Sequence, residues 1–235
     1  MVFLKYKVDP ADKQGKIAVK LTTTPALPLS DTNANLDLTL SLRIASSTQA
    51  DRSLTICVDR TVFEVYDPLE GGMDMLSRGA FGRIYNTESS ERSISLGHFK
   101  VNSVARSNSP DLRDRGCRFI TLPGDGSWVE VTHTIGWERI FKYEEKMVKT
   151  DLNPGEKFKM AINNDFLGTS WWCWGDMEGE LKGKKLHAWH PEPFADPKPS
   201  DEFVREENWV LGEEPMLLDF EDATEDAKAI FTIVE

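Results

Sequence analysis

The sequence predicts a mainly β fold, a sandwich or barrel of short antiparallel strands carrying one short helical insertion. Two patterns predict it: strict alternation of apolar and polar residues, and turn-forming residues at the ends of the apolar runs. In Leu36-Asp37-Leu38-Thr39-Leu40-Ser41-Leu42-Arg43-Ile44 every even position is apolar and every odd one polar. Successive strand side chains leave opposite faces of a sheet, so this stretch buries one face and wets the other. Ile17, Val19 and Leu21 repeat the pattern before Pro25 and Pro28 end it. Further strands are expected at 54–58, 62–66, 84–85, 93–99, 117–122, 128–135, 157–162 and 229–234. Pro68 with Gly71-Gly72, Pro123-Gly124-Asp125-Gly126 and Pro154-Gly155 supply the turns between them. Trp137, Ile140, Phe141, Glu144, Met147 and Val148 follow three-four spacing and predict a helix over 137–149. A less regular helical pattern covers 219–228, and the closing run Ile230-Phe231-Thr232-Ile233-Val234 is expected to pair as an edge strand.

The chain of 235 residues divides into a β-sandwich domain over 1–190 and a Pro-rich acidic strap over 191–235. His190-Pro191-Glu192-Pro193-Phe194, with Pro197 and Pro199, gives the strap an extended character. The net charge of −11 lies wholly in the last part: residues 1–191 hold 25 basic and 25 acidic side chains, residues 192–235 hold 3 and 14. An acidic arm repels phosphate backbones and anionic lipid, which argues against nucleic acid and membranes as partners. It is either a solvated surface or a docking arm for a basic protein. No apolar stretch approaches the roughly 18–20 residues of a membrane span. Cys57, Cys117 and Cys173 are odd in number and widely spaced, and the chain holds no N-x-[ST] sequon. Both features suit free thiols in a cytoplasmic protein.

One segment resembles a known family. Phe119-Ile120-Thr121-Leu122-Pro123-Gly124-Asp125-Gly126-Ser127-Trp128-Val129-Glu130-Val131-Thr132-His133 is similar to a passage of the N-terminal immunoglobulin-like module of fungal deuterolysin-type and peptidyl-Lys metalloendopeptidases. Leu152-Asn153-Pro154-Gly155-Glu156-Lys157-Phe158 is similar to a later turn and strand of the same module. The resemblance implies an immunoglobulin-like sandwich. It carries over no catalytic residue, because those enzymes need an H-E-x-x-H pair to hold zinc. Here His98, His133, His187 and His190 are the only histidines, and none is followed by Glu.

The densest stretch is Trp171-Trp172-Cys173-Trp174-Gly175-Asp176-Met177-Glu178-Gly179-Glu180-Leu181, continuing to His187-Ala188-Trp189-His190. On a strand Trp172 and Trp174 share one face and Trp171 takes the other. The pair is expected in the core, with Trp171 either packed or open as a stacking platform. Trp171, Trp172, Trp174 and Trp189 are the candidate binding residues. Asp176, Glu178, His187 and His190 are the candidate acid/base groups, and no metal or cofactor site is expected. His133 and His98 fall in step with apolar neighbours and are expected at the core edge. Cys173, between two tryptophans, is expected to be an inert thiol. Gly79-Ala80-Phe81-Gly82 holds too few glycines for a phosphate loop, and Arg113, Arg115 and Arg118 with Asp111 and Asp114 read as a solvated loop. The leading functional expectation is a non-enzymatic binding module for a protein or small molecule. The alternative is an enzyme acting on a small apolar metabolite in a Trp-lined cleft, and a third is self-association through sheet edges.

Overall fold

The computed structural model describes residues 8–66, 72–100, 107, 109–189, 204 and 208–235. His190, the Pro-rich stretch after it and the Pro68 and Gly71 turn residues lie outside these. The described chain is mainly β.

Two long strands, β1 (Gly15–Thr23) and β3 (Asn35–Ser47), form its spine. Leu36, Leu38, Leu40 and Leu42 are fully buried, as the alternation requires. The shorter strands are β2 (Ala26–Pro28), β4 (Leu54–Cys57), β5 (Ile84–Asn86), β6 (Ser93–Ile94), β7 (Phe119–Leu122), β8 (Val129–Gly136) and β9 (Lys157–Lys159). They are followed by β10 (Trp172–Trp174), β11 (Lys185–His187), β12 (Trp209–Leu211), β13 (Leu218–Asp222) and β14 (Ile230–Val234). Sheets run in the orders β13-β1-β3-β8, β10-β4-β7 and β2-β14-β9-β5-β6, with β11-β12 as a separate pair. One core joins the first three sheets, with Leu38 and Leu40 from one, Ile56 and Trp172 from another, and Phe158 and Phe231 from the third.

Several expectations are corrected. The sheets are mixed, because β1–β13, β2–β14 and β11–β12 pair in parallel. Residues 62–66 form no strand: Val62, Phe63 and Glu64 are buried in succession, and the Thr61 hydroxyl donates to the Val58 carbonyl to make a tight turn. The ladder expected over 93–99 stops at Ile94. Gly97 then takes φ +112, and a side chain there would strike the Tyr143 ring and the Ser77 backbone, so the chain turns and His98 lands exposed instead of at the core edge. The expected helix over 137–149 shortens to α1 (Trp137–Phe141). Glu144 ends it, its carboxylate accepting the Ser95 and Lys146 N–H groups and pairing with Arg83.

The described part of the C-terminal segment, 208–235, is built into the sheets. Part of the expected 219–228 helix is β13, and β14 lies inside its sheet between β2 and β9 rather than at an edge. Asp219, Glu221 and Glu225 meet Lys13, Lys16 and Lys20 on or beside β1, and Asp226 meets Lys159. Such exposed pairs are each worth little, yet they set these four carboxylates against the chain's own lysines.

Candidate functional site

The tryptophan strand is a packing element. Register sets Trp172 opposite Ile56 and Trp174 opposite Leu54, both facing the main core, with Cys173 opposite Thr55 on the other face. The two indoles meet edge-on with centroids 5.5 Å apart. Trp171 is not an open platform. It is only 2% exposed, in a second core with Cys57, Cys173, Leu181 and Leu186. That core arises because the β10-β4-β7 sheet carries apolar residues on both faces and the β11-β12 pair covers the outer one. Each indole N–H is satisfied: Trp171 donates to the His187 carbonyl at 2.7 Å, Trp172 to the Glu214 carbonyl at 2.8 Å and Trp174 to Gln14 at 3.3 Å. Trp189 is half-buried. Among the described residues, Trp172 and Trp174 pack into filled core and line neither of the two pockets described below.

Two of the expected acid/base groups do come together. Asp176 and Glu178 line a pocket of about 430 Å³ with Asp51, Arg52, Ser53, Gly179 and Glu180. One Asp176 oxygen is already engaged, accepting the Glu178 N–H at 2.7 Å and the Gly179 N–H at 3.1 Å to hold the turn after β10. His187 does not line this pocket. Its ring packs edge-on against Trp209 at 5.6 Å, and its Nδ1 lies 3.0 Å from the Ala188 carbonyl oxygen. Among the described residues no group of three or more His, Cys, Asp or Glu is placed to hold a metal.

A second pocket, of about 300 Å³, was not singled out by the sequence. Gly79, Phe81, Gly82, Arg83, Ser95, Leu96, Gly97, His98 and Asn163 line it. A side chain at Gly79 would come within 2.7 Å of the His98 ring, so glycine there leaves room for the imidazole at the pocket wall. Arg83 is held in place by Nε donating to Ser93 at 3.0 Å and one Nη donating to Glu144 at 3.3 Å. Its other Nη has no partner among the described residues. Asn163 ties the pocket floor by donating to the Gly79 carbonyl at 2.7 Å. The rings of Phe99, which is exposed, and Tyr143 meet edge-on at 4.7 Å, and both crowd Gly97. The available signal was the pair of arginines around Gly79-Ala80-Phe81-Gly82, but Ser95, His98 and Asn163 reach the site only through the fold.

The loop read as solvated is structural. Arg118 donates to the Glu64 carboxylate at 2.7 Å and to the Val65 carbonyl, and Arg113 donates to the Leu181 carbonyl. His133, as expected, is buried. Its Nε2–H donates to the Val62 carbonyl at 2.8 Å and its ring meets Phe81 edge-on. Burial pushes its pKa below the usual histidine value, against smaller opposing effects of that carbonyl and Asp74. The folded state thus holds a neutral ring that the unfolded chain protonates below about pH 6.5. The stabilisation is complete above that pH and is lost as pH falls towards the folded pKa. Urea unfolding should show a lower midpoint near pH 5.5 than near pH 7.5, and His133→Gln should flatten the difference.

No family model matches the chain, and no curated protein matches it. No helix among the described residues is long and apolar enough to cross a membrane.

Proposed function

We propose that the chain is a non-enzymatic, intracellular binding module on an immunoglobulin-like sandwich, and that it takes a small carboxylate-bearing ligand in the glycine-lined pocket. The observation that carries this reading is Arg83 in the pocket lining, its guanidinium fixed by hydrogen bonds to Ser93 and Glu144, beside Gly79, Gly82 and Gly97, which carry no side chains. A guanidinium anchored in this way offers a preoriented donor to a carboxylate. His98 at the wall offers a second polar contact, while Phe81 and Leu96 supply apolar surface. The volume suits a compact ligand, since small-molecule sites begin at about 300 Å³. The filled core beside Trp172 and Trp174 also favours a module over an enzyme working in a cleft there. The intracellular part of the reading rests on three cysteines that remain thiols.

The test is titration of the ¹⁵N-labelled chain with benzoate, following the amide signals of Gly79, Gly82 and Gly97. Saturable shifts confined to the pocket are expected, with benzamide, the neutral analogue, binding several-fold more weakly. His98→Ala should weaken benzoate several-fold and leave the melting temperature unchanged, because that ring is exposed. An equal response to benzamide, or no saturable shift, would contradict the proposal.

A further inference from the structure

The sheet β13-β1-β3-β8 ends on β8, and no other strand among the described residues pairs with that edge. Local hydrogen bonds fix which backbone groups the edge leaves unused. Just past β1, the Thr24 N–H donates to the Asp37 carbonyl at 3.1 Å, and the Asp37 N–H donates to the Thr24 hydroxyl at 2.9 Å. Asp37 therefore aims its backbone at the β1 side. Backbone direction alternates along a strand, so Leu38, Leu40 and Leu42 aim theirs at β8, where their register partners are His133, Val131 and Val129. By the same alternation Glu130, Thr132 and Thr134 point their N–H and C=O groups outward. All three residues are exposed.

A free edge is a template for another strand unless something blunts it. β8 holds no Lys and no Pro, and its register with β3 runs unbroken from Val129 to Gly136. We propose that β8 pairs antiparallel with β8 of a second copy, across a two-fold axis at Thr132, to make one continuous sheet. That register sets Glu130 opposite Thr134 and Thr132 opposite itself. These are the three residues with outward backbone groups, so each pair exchanges two hydrogen bonds. Sliding by two residues either way pairs fewer of them, and sliding further towards the N-terminal end sets Glu130 against its own copy, which like charges disfavour. This self-complementarity selects a second copy as the occupant.

The side chains suit the same register. Thr132 meets its own copy in a cross-strand Thr pair, of the kind its hydroxyl already makes with Thr39 at 3.0 Å. On the core side Val129 and Val131, half-buried in one copy, gain apolar cover from Ile135 and His133 of the second. At each end the exposed Trp128 comes opposite Gly136 of the second copy, where no side chain competes with the indole. One strand pair is a small interface, so the dimer is expected to dissociate in the roughly micromolar range.

Sedimentation velocity of the full chain, run up to about 100 µM, should show a concentration-dependent species of twice the 26.6 kDa monomer. Hydrogen exchange should slow at the Glu130, Thr132 and Thr134 amides as concentration rises, while Val131 and His133, already bonded to β3, stay unchanged. Thr132→Lys sets two ammonium groups opposite each other and should weaken dimerisation on the order of tenfold or more. Thr132→Glu should do the same with two carboxylates. An equimolar mixture of the two variants should dimerise again, because Lys then faces Glu. Both substitutions fall on an exposed residue, and circular dichroism establishes that each variant is folded. A chain that stays monomeric at the highest concentration, a dimer that folded Thr132→Lys leaves intact, a mixture that fails to recover, or outward amides that exchange at one rate throughout would overturn the proposal.

Discussion

Trp172→Ala should lower the unfolding free energy by about 3–5 kcal/mol, the usual cost of deleting a large aromatic from a packed core. The ring is fully buried, meets Trp174 edge-on, and its N–H satisfies the Glu214 carbonyl. Truncation opens a cavity between the sheets and strands that carbonyl. Trp171→Ala should be nearly as costly, since that ring fills the second core and satisfies the His187 carbonyl. Gly212 packs so close that a methyl group there would overlap the indole, so little slack exists for collapse. Urea unfolding checks both. A loss below about 1 kcal/mol at Trp171, typical of a surface substitution, would mean that the outer face of this sheet is not covered.

Glu64→Ala should cost about 2–4 kcal/mol, although Glu64 lies in a turn. Glu64 is only 4% exposed, and its carboxylate accepts from the Met73 N–H, the Arg60 N–H and Arg118 at once. Removing it leaves two backbone donors and a guanidinium uncompensated. Arg118 is 31% exposed on its side chain, so water recovers part of its loss and the estimate stays below that for a fully buried pair. Glu64→Gln, which keeps the acceptor oxygen, should recover roughly half, since a neutral acceptor bonds about half as strongly. Equal stability of all three proteins would show that this turn is held by Val62 and Phe63 alone.

Strand alternation was legible because it is local. The burial of Leu36 to Leu42 and the shared face of Trp172 and Trp174 follow from side-chain parity along a strand, which the structure cannot change without losing its core. The lost expectations share a different cause. Val62, Phe63 and Glu64 are buried consecutively because several elements close over one turn, and no period describes that. The expected 137–149 helix fails where Glu144 is captured by Arg83, a residue 61 positions away. The acidic C-terminal segment looked free because its partners, Lys13, Lys16 and Lys20, stand at the other end of the chain. Asp176 and Glu178 fall together because they sit on one short turn, but they line a pocket with Asp51, Arg52 and Ser53 and not the expected Trp-lined cleft. The glycine-lined pocket stayed hidden because Arg83, His98 and Asn163 come from three separate segments whose convergence depends on the β5-β9 pairing and the turn at Gly97.

The most direct test of the binding reading is a crystal structure of the chain grown with benzoate. The account predicts the carboxylate within about 2.7–3.1 Å of Arg83, in charge-assisted hydrogen-bonding range, with the phenyl ring against Phe81 and Leu96 and the Arg83–Glu144 pair intact. Benzoate bound only elsewhere, or a pocket that stays empty at saturating ligand, would contradict it.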